Sequence, residues 1–319
     1  MIGLSRAREA QALLAAHFPP TPLTRAPSLC APDREVYLKI ESGLPTGSFK
    51  VRGAIYSLSV NIARRSISEV VAASTGNHCA AVAYAGRLLN VKTTIFLPVN
   101  PNPVKAARIR ELGATLVETG ADLSAAIDAA YEYTDRTHAF FLHDATDGEV
   151  PVGPATIGLE IIAQLPAVDR VYVPMGDTAL IRGLASALKQ LKASVSVIGV
   201  VAANAPAYFQ SWQQRRAIET ESADTIADGL AVRRALAPNV AAILDLLDDV
   251  RAVSEEELLG AIGHLLMHEG VTAEPAAAAT TAAFLEDPKP ATSVLLVTGA
   301  NIAPEVLGRV RLLLNPRTP

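Results

Sequence analysis

The sequence predicts an α/β fold built on parallel sheets, and three observations lead to that prediction. Short apolar segments alternate with longer amphipathic segments over most of the chain, which is the pattern of repeated strand–helix–strand units. Half of the 319 residues are hydrophobic and 19% are charged, as in globular proteins with a large core. Neither a low-complexity tract nor a repeat of fixed period interrupts the alternation. A chain of this length can form one large domain or two medium ones.

The first half of the chain carries the more regular alternation. The amphipathic segment 1–17 predicts a surface helix, and the prolines in 19–22 predict an extended connection, since proline and the residue before it avoid helix. The strands predicted after it are 35–40, 69–73, 92–97, 114–118 and 139–142. The helices predicted between them are 50–63, 77–90, 103–112 and 121–136. The last four of these strands can form a small sheet of their own.

The second half is interrupted by a less regular region at 202–249. Ser254 and Glu257 form a capping-box pattern that predicts a helix ending near residue 269. The other predicted strands are 169–174, 195–201 and 293–297. The other predicted helices are 157–165, 179–192, one after Pro275 and one that ends the chain, with no appended regulatory domain expected.

Charge and composition argue against several classes of function. The net charge is −4 without a basic stripe, which disfavours a nucleic-acid partner. No apolar run approaches the roughly 18 residues of a membrane helix, and residues 1–17 lack the apolar core and cleavage site of a signal peptide. We therefore expect a cytoplasmic protein that binds neither nucleic acid nor membrane. Cys30 and Cys79 show no metal-ligand spacing and give no disulfide framework.

Lys50 is the strongest candidate for chemistry. It lies in the stretch TGSFKVRGA (residues 46–54), between a predicted strand and the start of a predicted helix. A single lysine is most often a solvated surface residue. A helix N-terminus and partial burial both disfavour the ammonium form. We therefore expect a lowered pKa for Lys50, towards the neutral amine that can form a Schiff base.

Two further strand-to-helix junctions suit an anion. Residues 74–78 (STGNH) offer amides and hydroxyls for a carboxylate, and residues 176–179 (GDTA) offer a helix N-terminus for a phosphate. Alone, each is more typical of an ordinary helix cap. Glu274-Pro275 and residues 298–301 (TGAN) are, alone, typical of a cap or a turn.

Taken together, these segments resemble the pyridoxal-phosphate enzymes of fold type II, the fold of the tryptophan synthase β chain. Within that family the sequence is most similar to the threonine/serine dehydratases and serine racemases. The stretch GDTALIRG also resembles the dehydratase of hydroxyectoine breakdown. The resemblance runs over residues 21–314 and is far more specific for fold and cofactor than for substrate. Five segments occur in the family's order: 46–54, 74–78, 225–232 (TIADGLAV), 274–276 (EPA) and 298–301.

The resemblance implies a role for each candidate residue. Lys50 would hold pyridoxal phosphate through its amine and later move the Cα proton, and Thr75 would be a second acid or base. The substrate carboxylate would be bound by Ser74, Thr75, Gly76, Asn77 and His78. The cofactor phosphate would be bound by the backbone of Gly176, Asp177, Thr178 and Ala179. The other cofactor contacts would come from Phe49, Asn77 at the 3′ oxygen, Glu274 near the ring and Thr298 at the ring nitrogen.

A hydroxyl at the ring nitrogen predicts the type of reaction. Thr298, unlike a carboxylate, does not hold a proton on that nitrogen, so the ring is a milder electron sink and carbanion character at Cα is brief. This favours expulsion of a β-substituent over transamination. A β-hydroxy amino acid such as threonine, serine or one derived from hydroxyectoine would then lose water and yield a 2-keto acid and ammonia, with the protein supplying orientation.

Three departures from the family pattern qualify this prediction. GDTA replaces a run of glycines, so a phosphate would meet like charge at Asp177 unless that side chain points away. Val201 and Ala207 occupy the positions of the glutamate and aspartate of metal-activated members, so we expect no metal there, because a hard cation needs oxygen donors. Thr75 replaces the serine that is the second acid/base of racemases, and its extra methyl hinders that face.

Alternatives to the lyase stay open. The chain could be an amino-acid racemase, a β-replacement transferase, or a cofactor-binding protein with little turnover. Residues 227–229 and Glu274-Pro275 fit the dehydratase branch better than the transferase, and a binding protein would not need Lys50.

The resemblance also implies the domain organisation. A large cofactor-binding domain would comprise residues 1–66 and 146–319, and a small α/β domain, 67–145, would be inserted in it. The cofactor would lie in the cleft between them, outside the carboxyl ends of the strands, and closure of the small domain would exclude water. A homodimer is expected by resemblance.

Overall fold

The computed structural model describes residues 1–74, 76–101 and 103–314. Within these residues two sheets are flanked by helices. The strands are β1 (Leu23–Arg25), β2 (Glu35–Ile40), β3 (Glu69–Ala73), β4 (Lys92–Leu97), β5 (Thr115–Glu118), β6 (Phe140–Phe141), β7 (Arg170–Pro174), β8 (Ser196–Ala202), β9 (Asp249–Val253) and β10 (Thr292–Val297). The helices are α1 (Leu4–Leu14), α2 (Lys50–Arg64), α3 (Asn77–Leu88), α4 (Pro103–Glu111), α5 (Leu123–Thr137), α6 (Val152–Gln164), α7 (Ala179–Leu191), α8 (Ala207–Gln214), α9 (Ala237–Leu246), α10 (Glu255–His264), α11 (Pro275–Glu286) and α12 (Pro304–Leu314).

The larger sheet has the strand order β1-β2-β10-β7-β8-β9 in the described chain. Its pairs are parallel apart from β1, which runs antiparallel to β2 at the edge. The register of β2 with β10 pairs Ile40 with Val297, so both strands end at the same level. Because carboxyl ends of parallel strands share one edge, the segments after β2, β7 and β10 emerge side by side.

The smaller sheet has the order β5-β4-β3-β6 and is parallel throughout its described strands. All four strands lie between Glu69 and Phe141, inside the range 67–145 that we expect for an inserted domain. The domain boundaries themselves stay a prediction.

Alanine-rich and glycine-containing helices pack closely on the larger sheet. Helix α11 is buried along most of its length, including Ala277, Ala278 and Ala279, which are all 0% exposed. On the other side, α6 packs between α2 and α7. A Cβ atom at Gly153 of α6 would lie 2.3 Å from the carbonyl oxygen of Arg52. Only glycine therefore permits this approach, which brings α2 close against α6.

A buried ionic network ties α2 to β2 and α6. Arg52 is 1% exposed, and its guanidinium donates to the carboxylates of Glu41 and Glu160 at 2.7 Å each. Lys39 donates to the same Glu160 at 2.6 Å. Breaking such a network by removing one partner is costly, because it leaves buried charge uncompensated. The network anchors the helix that begins with Lys50.

The sequence predicted most of these elements, although not all of them. The capping box is confirmed: Ser254 accepts from the backbone of Glu257, whose side chain accepts from Ser254 N–H. The expectation of irregular structure at 202–249 is wrong in part, since α8 and α9 lie there, and β1 and β9 were not predicted. These are short elements whose pairing and packing, not their local pattern, define them. Among the described residues, each helix is too short or too polar to cross a bilayer.

Candidate active site

Four strand ends converge on Lys50. The residue lies at the first position of α2, and the segments that follow β6, β7 and β10 supply its neighbours, together with the start of α3 after β3. The side chain of Lys50 is 18% exposed. The fold thus places the Lys50 amine between segments from both sheets.

The turn before Lys50 is held by the strand end after β10. Gly47 has φ +71°, in the left-handed region that favours glycine. Its neighbour Phe49 donates its N–H to the carbonyl of Thr298 at 3.0 Å, and Asn301 donates its side-chain amide to the carbonyl of Thr46 at 3.0 Å. These bonds fix the position from which Lys50 projects.

The electrostatic expectation for Lys50 is wrong. Burial lowers the pKa of Lys50, as expected, but the carboxylates of Asp144 and Asp177 raise it more, so the pKa lies above its usual value. The Lys50 Nζ atom donates to Asp144 Oδ2 at 2.5 Å. A nearby opposite charge outweighs both desolvation and the partial charge of a helix terminus.

Asp144 is the centre of a cluster of ionisable groups. Burial raises the pKa of Asp144. The positive charges of His78 and Lys50 lower it by more than burial raises it, so the pKa of Asp144 lies below its usual value. His78 Nδ1 lies 3.8 Å from Asp144 Oδ2, and Nε2 lies 2.8 Å from the carbonyl of Leu142. Because a carbonyl only accepts, Nε2 carries the hydrogen of that bond.

Asp177 completes the cluster from the larger sheet. Burial, the carboxylate of Asp144 and a hydrogen bond with it raise the pKa of Asp177 to about 7. Such a bond requires a proton on one of the two carboxyl groups. With a pKa of about 7, this carboxyl group carries a proton next to Lys50 in about half of the molecules at neutral pH, as one of two adjacent carboxylates can.

The expected carboxylate-binding segment lies at the start of α3. Gly76 N–H donates to the hydroxyl of Ser74 at 3.3 Å, and Asn77 donates its side-chain amide to Glu274 Oε1 at 2.7 Å. His78 is turned inward, with 4% exposure, to Asp144 and Leu142. Thr75, the expected second acid or base, lies outside the described residues.

A cavity of about 260 Å³ opens beside Asn77. Its polar lining comes from Arg108, Asp228, Glu274 and Asn301. Asn301 binds Asn77 Oδ1 at 2.6 Å through its amide and accepts from Arg108 at 2.6 Å. The cavity is lined by α3 and α4 on one side and by segments of the second half of the chain on the other, so residues from both halves could contact one small molecule.

The expected phosphate loop leads from β7 into α7. A Cβ atom at Gly176 would lie 2.2 Å from the carbonyl oxygen of Gly229, so this position requires glycine. Thr178 has φ +70° and is 2% exposed, and its Oγ1 makes no well-formed hydrogen bond. The first N–H groups of α7, from Ala179 onward, lack intrahelical acceptors. Unsatisfied donors at a helix start fit the phosphate of the expected cofactor.

The other expected cofactor contacts lie around Lys50. Thr298, 3% exposed, directly follows β10. The ring centroid of Phe49 is 5.5 Å from Lys50 Nζ. Val201 and Ala207 are buried apolar residues, and the described residues contain no group of three or more His, Cys, Asp or Glu that could hold a metal. The lack of a metal stays a prediction.

Sequence reasoning missed three residues of this site. Asp144 could have been found, because it follows a predicted strand whose carboxyl end neighbours that of β3. Asn301 was part of a noted segment but had no role. Arg108 lies in the exposed-looking helix α4, and no local pattern distinguished it from a surface arginine.

Comparisons with known proteins show which enzymes the chain is similar to. The L-threonine ammonia-lyase of Thermotoga maritima is 37% identical over 278 residues, which is 86% of this chain and 69% of that protein. That of Geobacter sulfurreducens is 36% identical over 250 residues, or 78% of this chain. The chain spans 62% of the latter's length, less than two thirds.

Solved structures agree with this placement. The T.th. threonine deaminase superposes with a TM-score of 0.88 at 31% identity, over 95% of this chain and 99% of that one. Maize serine racemase superposes with a TM-score of 0.90 at 27% identity, over 97% and 96%. The sequence model of the family "pyridoxal-phosphate dependent enzyme" matches residues 14–299. The chain therefore belongs to the family of pyridoxal-phosphate dependent enzymes.

Proposed function

We propose that this protein is a lyase that removes water from a β-hydroxy amino acid, such as threonine or serine, and releases a 2-keto acid and ammonia. One observation carries the proposal: Lys50 projects from the start of α2 into a cluster that holds a transferable proton, in a chain 37% identical to an L-threonine ammonia-lyase. Elimination needs both a base for Cα and an acid for the leaving hydroxyl.

Lys50 is the proposed base. The raised pKa makes the ammonium the resting form of Lys50, so the amine must first lose that proton. In its uncharged form it would take the proton from the substrate Cα, while bound pyridoxal phosphate would supply the electron sink that makes this proton acidic. Asp144, 2.5 Å from Nζ, orients the amine and stabilises the ammonium form after the transfer. Lys50 therefore ends this step positively charged beside a carboxylate.

The pair Asp144 and Asp177 is the proposed acid. Its shared proton would leave with the β-hydroxyl as water, when the Cβ–O bond breaks and a Cα–Cβ double bond forms. Hydrolysis of the resulting enamine takes up one water and releases ammonia and the 2-keto acid. The overall reaction therefore needs no oxidant and no net water.

Asn77 would bind the substrate carboxylate together with Ser74, Gly76 and Thr75. Its side-chain amide is fixed by Glu274 and Asn301. Because Asn301 belongs to the larger half of the chain, these bonds would close the small domain, residues 67–145, over the substrate and exclude water. His78 would act through Asp144, since its ring points to that carboxylate.

The test is release of a 2-keto acid and ammonia from purified, cofactor-loaded protein. The panel comprises L-threonine, L-serine, D-serine, 3-hydroxyaspartate and amino acids derived from hydroxyectoine. Rapid turnover of one compound is expected and would identify the side-chain preference. A normal cofactor absorbance without any keto acid would reject elimination of these substrates.

Racemisation is the second candidate, and the similarity to maize serine racemase favours it. Chiral analysis of residual serine in the same assay separates the two reactions. Appearance of the opposite enantiomer without keto acid would make the protein a racemase.

We also propose, from the family resemblance, a cytoplasmic homodimer. Sedimentation at several concentrations would show a monomer instead if this is wrong.

A further inference from the structure

Arg182 is a half-buried cation that the proposed reaction does not use. It lies in the second turn of α7, four residues after Thr178. Its Nε and Nη2 atoms are buried and make no hydrogen bond. Burial lowers the pKa of Arg182, and the Tyr208 phenol and the Asp177 carboxylate act against that shift. Unsatisfied buried donors on a charged group are costly, and in native structures they commonly mark the place of a ligand or an ion.

The position of Arg182 directs its side chain to the start of α7. Residues four apart on a helix share one face, and side chains lean towards the helix N-terminus. Arg182 N–H bonds the carbonyl of Thr178, which confirms one full turn between them. The buried Thr178 hydroxyl lies on the same face, beside Tyr208. Three kinds of donor thus lie around the start of α7: a guanidinium, which feels the charges of Asp177 and Tyr208, a hydroxyl, and the free amides of the first turn.

The carboxyl of Asp177 does not cancel this positive charge. It is hydrogen-bonded to Asp144 and shares a proton with it, and its field acts on Lys50. The backbone carbonyl of Asp177 accepts from Asn239 at 3.4 Å, which holds the loop from behind. The negative charge that Asp177 would present to a phosphate is therefore reduced where this carboxyl group is protonated, and Arg182 offsets the remainder.

We propose that Arg182 binds the phosphate of pyridoxal phosphate and, with the Thr178 hydroxyl, replaces the glycine-only phosphate loop by a guanidinium-assisted one. The proposal rests on the cofactor site proposed above. A guanidinium presents a fork of donors that matches phosphate oxygens, so one arginine can offset the charge that Asp177 brings to the loop.

The test compares two aldehydes that differ only in the phosphate. Dissociation constants of pyridoxal phosphate and of pyridoxal are measured by absorbance titration of cofactor-stripped protein, for the wild type, Arg182→Ala and Arg182→Lys. We expect Arg182→Ala to raise the dissociation constant of pyridoxal phosphate about ten- to a hundred-fold, which is the range for loss of a charge-assisted hydrogen bond. The dissociation constant of pyridoxal should change less than about two-fold. Arg182→Lys should recover part of the lost affinity for pyridoxal phosphate, because lysine keeps the positive charge but lacks the forked N–H donors of the guanidinium.

Lys189→Ala is the matched control. Lys189 lies on the same helix, two turns further on, and binds Asp248 and the carbonyl of Val195. It should leave both dissociation constants unchanged. If circular dichroism shows that Arg182→Ala is unfolded, Arg182→Gln gives the same comparison.

The outcomes separate this inference from the function. If Arg182→Ala weakens the binding of both aldehydes equally, or changes the binding of neither, Arg182 does not bind the phosphate, although the cofactor site itself is retained. A wild type that binds neither aldehyde would overturn the cofactor site and the inference together. If Arg182→Ala loses affinity for pyridoxal phosphate but not for pyridoxal, the result supports both the cofactor site and the role of Arg182.

Discussion

Replacing Asp177 by asparagine tests the proposed proton donor. The variant keeps the shape of the side chain but removes the carboxyl proton. An ordinary aspartate carries a proton in about one molecule in a thousand at pH 7. Burial and Asp144 raise the pKa of Asp177 to about 7, so about half of the molecules carry it. Only the raised value makes the group a usable acid at neutral pH.

The expected loss follows from general acid catalysis, which contributes roughly 10²–10⁴-fold to a rate. We expect kcat of Asp177→Asn on L-serine to fall by roughly that factor. β-Chloro-L-alanine should be turned over within a few-fold of the wild type in initial-rate measurements, because chloride leaves without a proton. The comparison isolates proton donation, since both substrates need the same cofactor and the same base.

The pH profile gives a second readout. The acid form of Asp177 is the active one, and its pKa is about 7, so kcat of the wild type on serine should fall as pH rises through that value. The profile with β-chloro-L-alanine should lack this descending limb. Equal slowing of both substrates in Asp177→Asn, or undiminished turnover of serine, would refute the donor role.

Three further predictions concern neighbouring groups. Lys50→Ala should lose both the visible absorbance of bound cofactor and all turnover, and surviving activity would mean that Lys50 is not the reactive amine. Asp144→Asn should lower the pKa of Lys50, because Asp144 raises it. Imine formation with pyridoxal should then extend to lower pH, and an unchanged profile would contradict the ion pair. Arg52→Met should reduce the free energy of unfolding by about 3–5 kcal/mol, because buried Glu41 loses its cationic partner and buried Glu160 keeps only Lys39. Urea unfolding measures this, with Arg25→Met, in an exposed ion pair, as a control that should leave the unfolding midpoint almost unchanged.

The fold could be predicted in outline because its elements repeat a simple pattern. Strands β3, β4 and β5, with α3 and α5, carry clear apolar periodicity, and the capping box at Ser254 is local in sequence. Strand β1 could not be predicted in this way. It has three residues and no buried member, and only pairing with β2 defines it. Local pattern is informative where burial is periodic and uninformative where an edge contact defines the element.

The site could be predicted where its residues lie at strand ends. Lys50, Asn77 and Thr178 all lie in segments that follow a strand, two of the larger sheet and one of the smaller. Arg108 and Arg182 could not be found in this way, because each lies within a helix whose charged residues suggest solvent exposure. Their neighbours, Asn301 and the Asp177 loop, come from distant or unusual segments.

The pKa of Lys50 shows why local reasoning failed for the chemistry. A helix N-terminus contributes a partial charge of about half a unit, whereas Asp144, 94 positions later in the chain, contributes a whole carboxylate at 2.5 Å. No sequence pattern around Lys50 contains that contact, so the direction of the pKa shift could be derived only from the folded structure. The same contact links the two halves of the proposed reaction. The carboxylate that stabilises the Lys50 ammonium after it takes the Cα proton also shares the proton that leaves with the hydroxyl. Base and acid are therefore coupled through Asp144, and changing either partner should shift the pKa of the other.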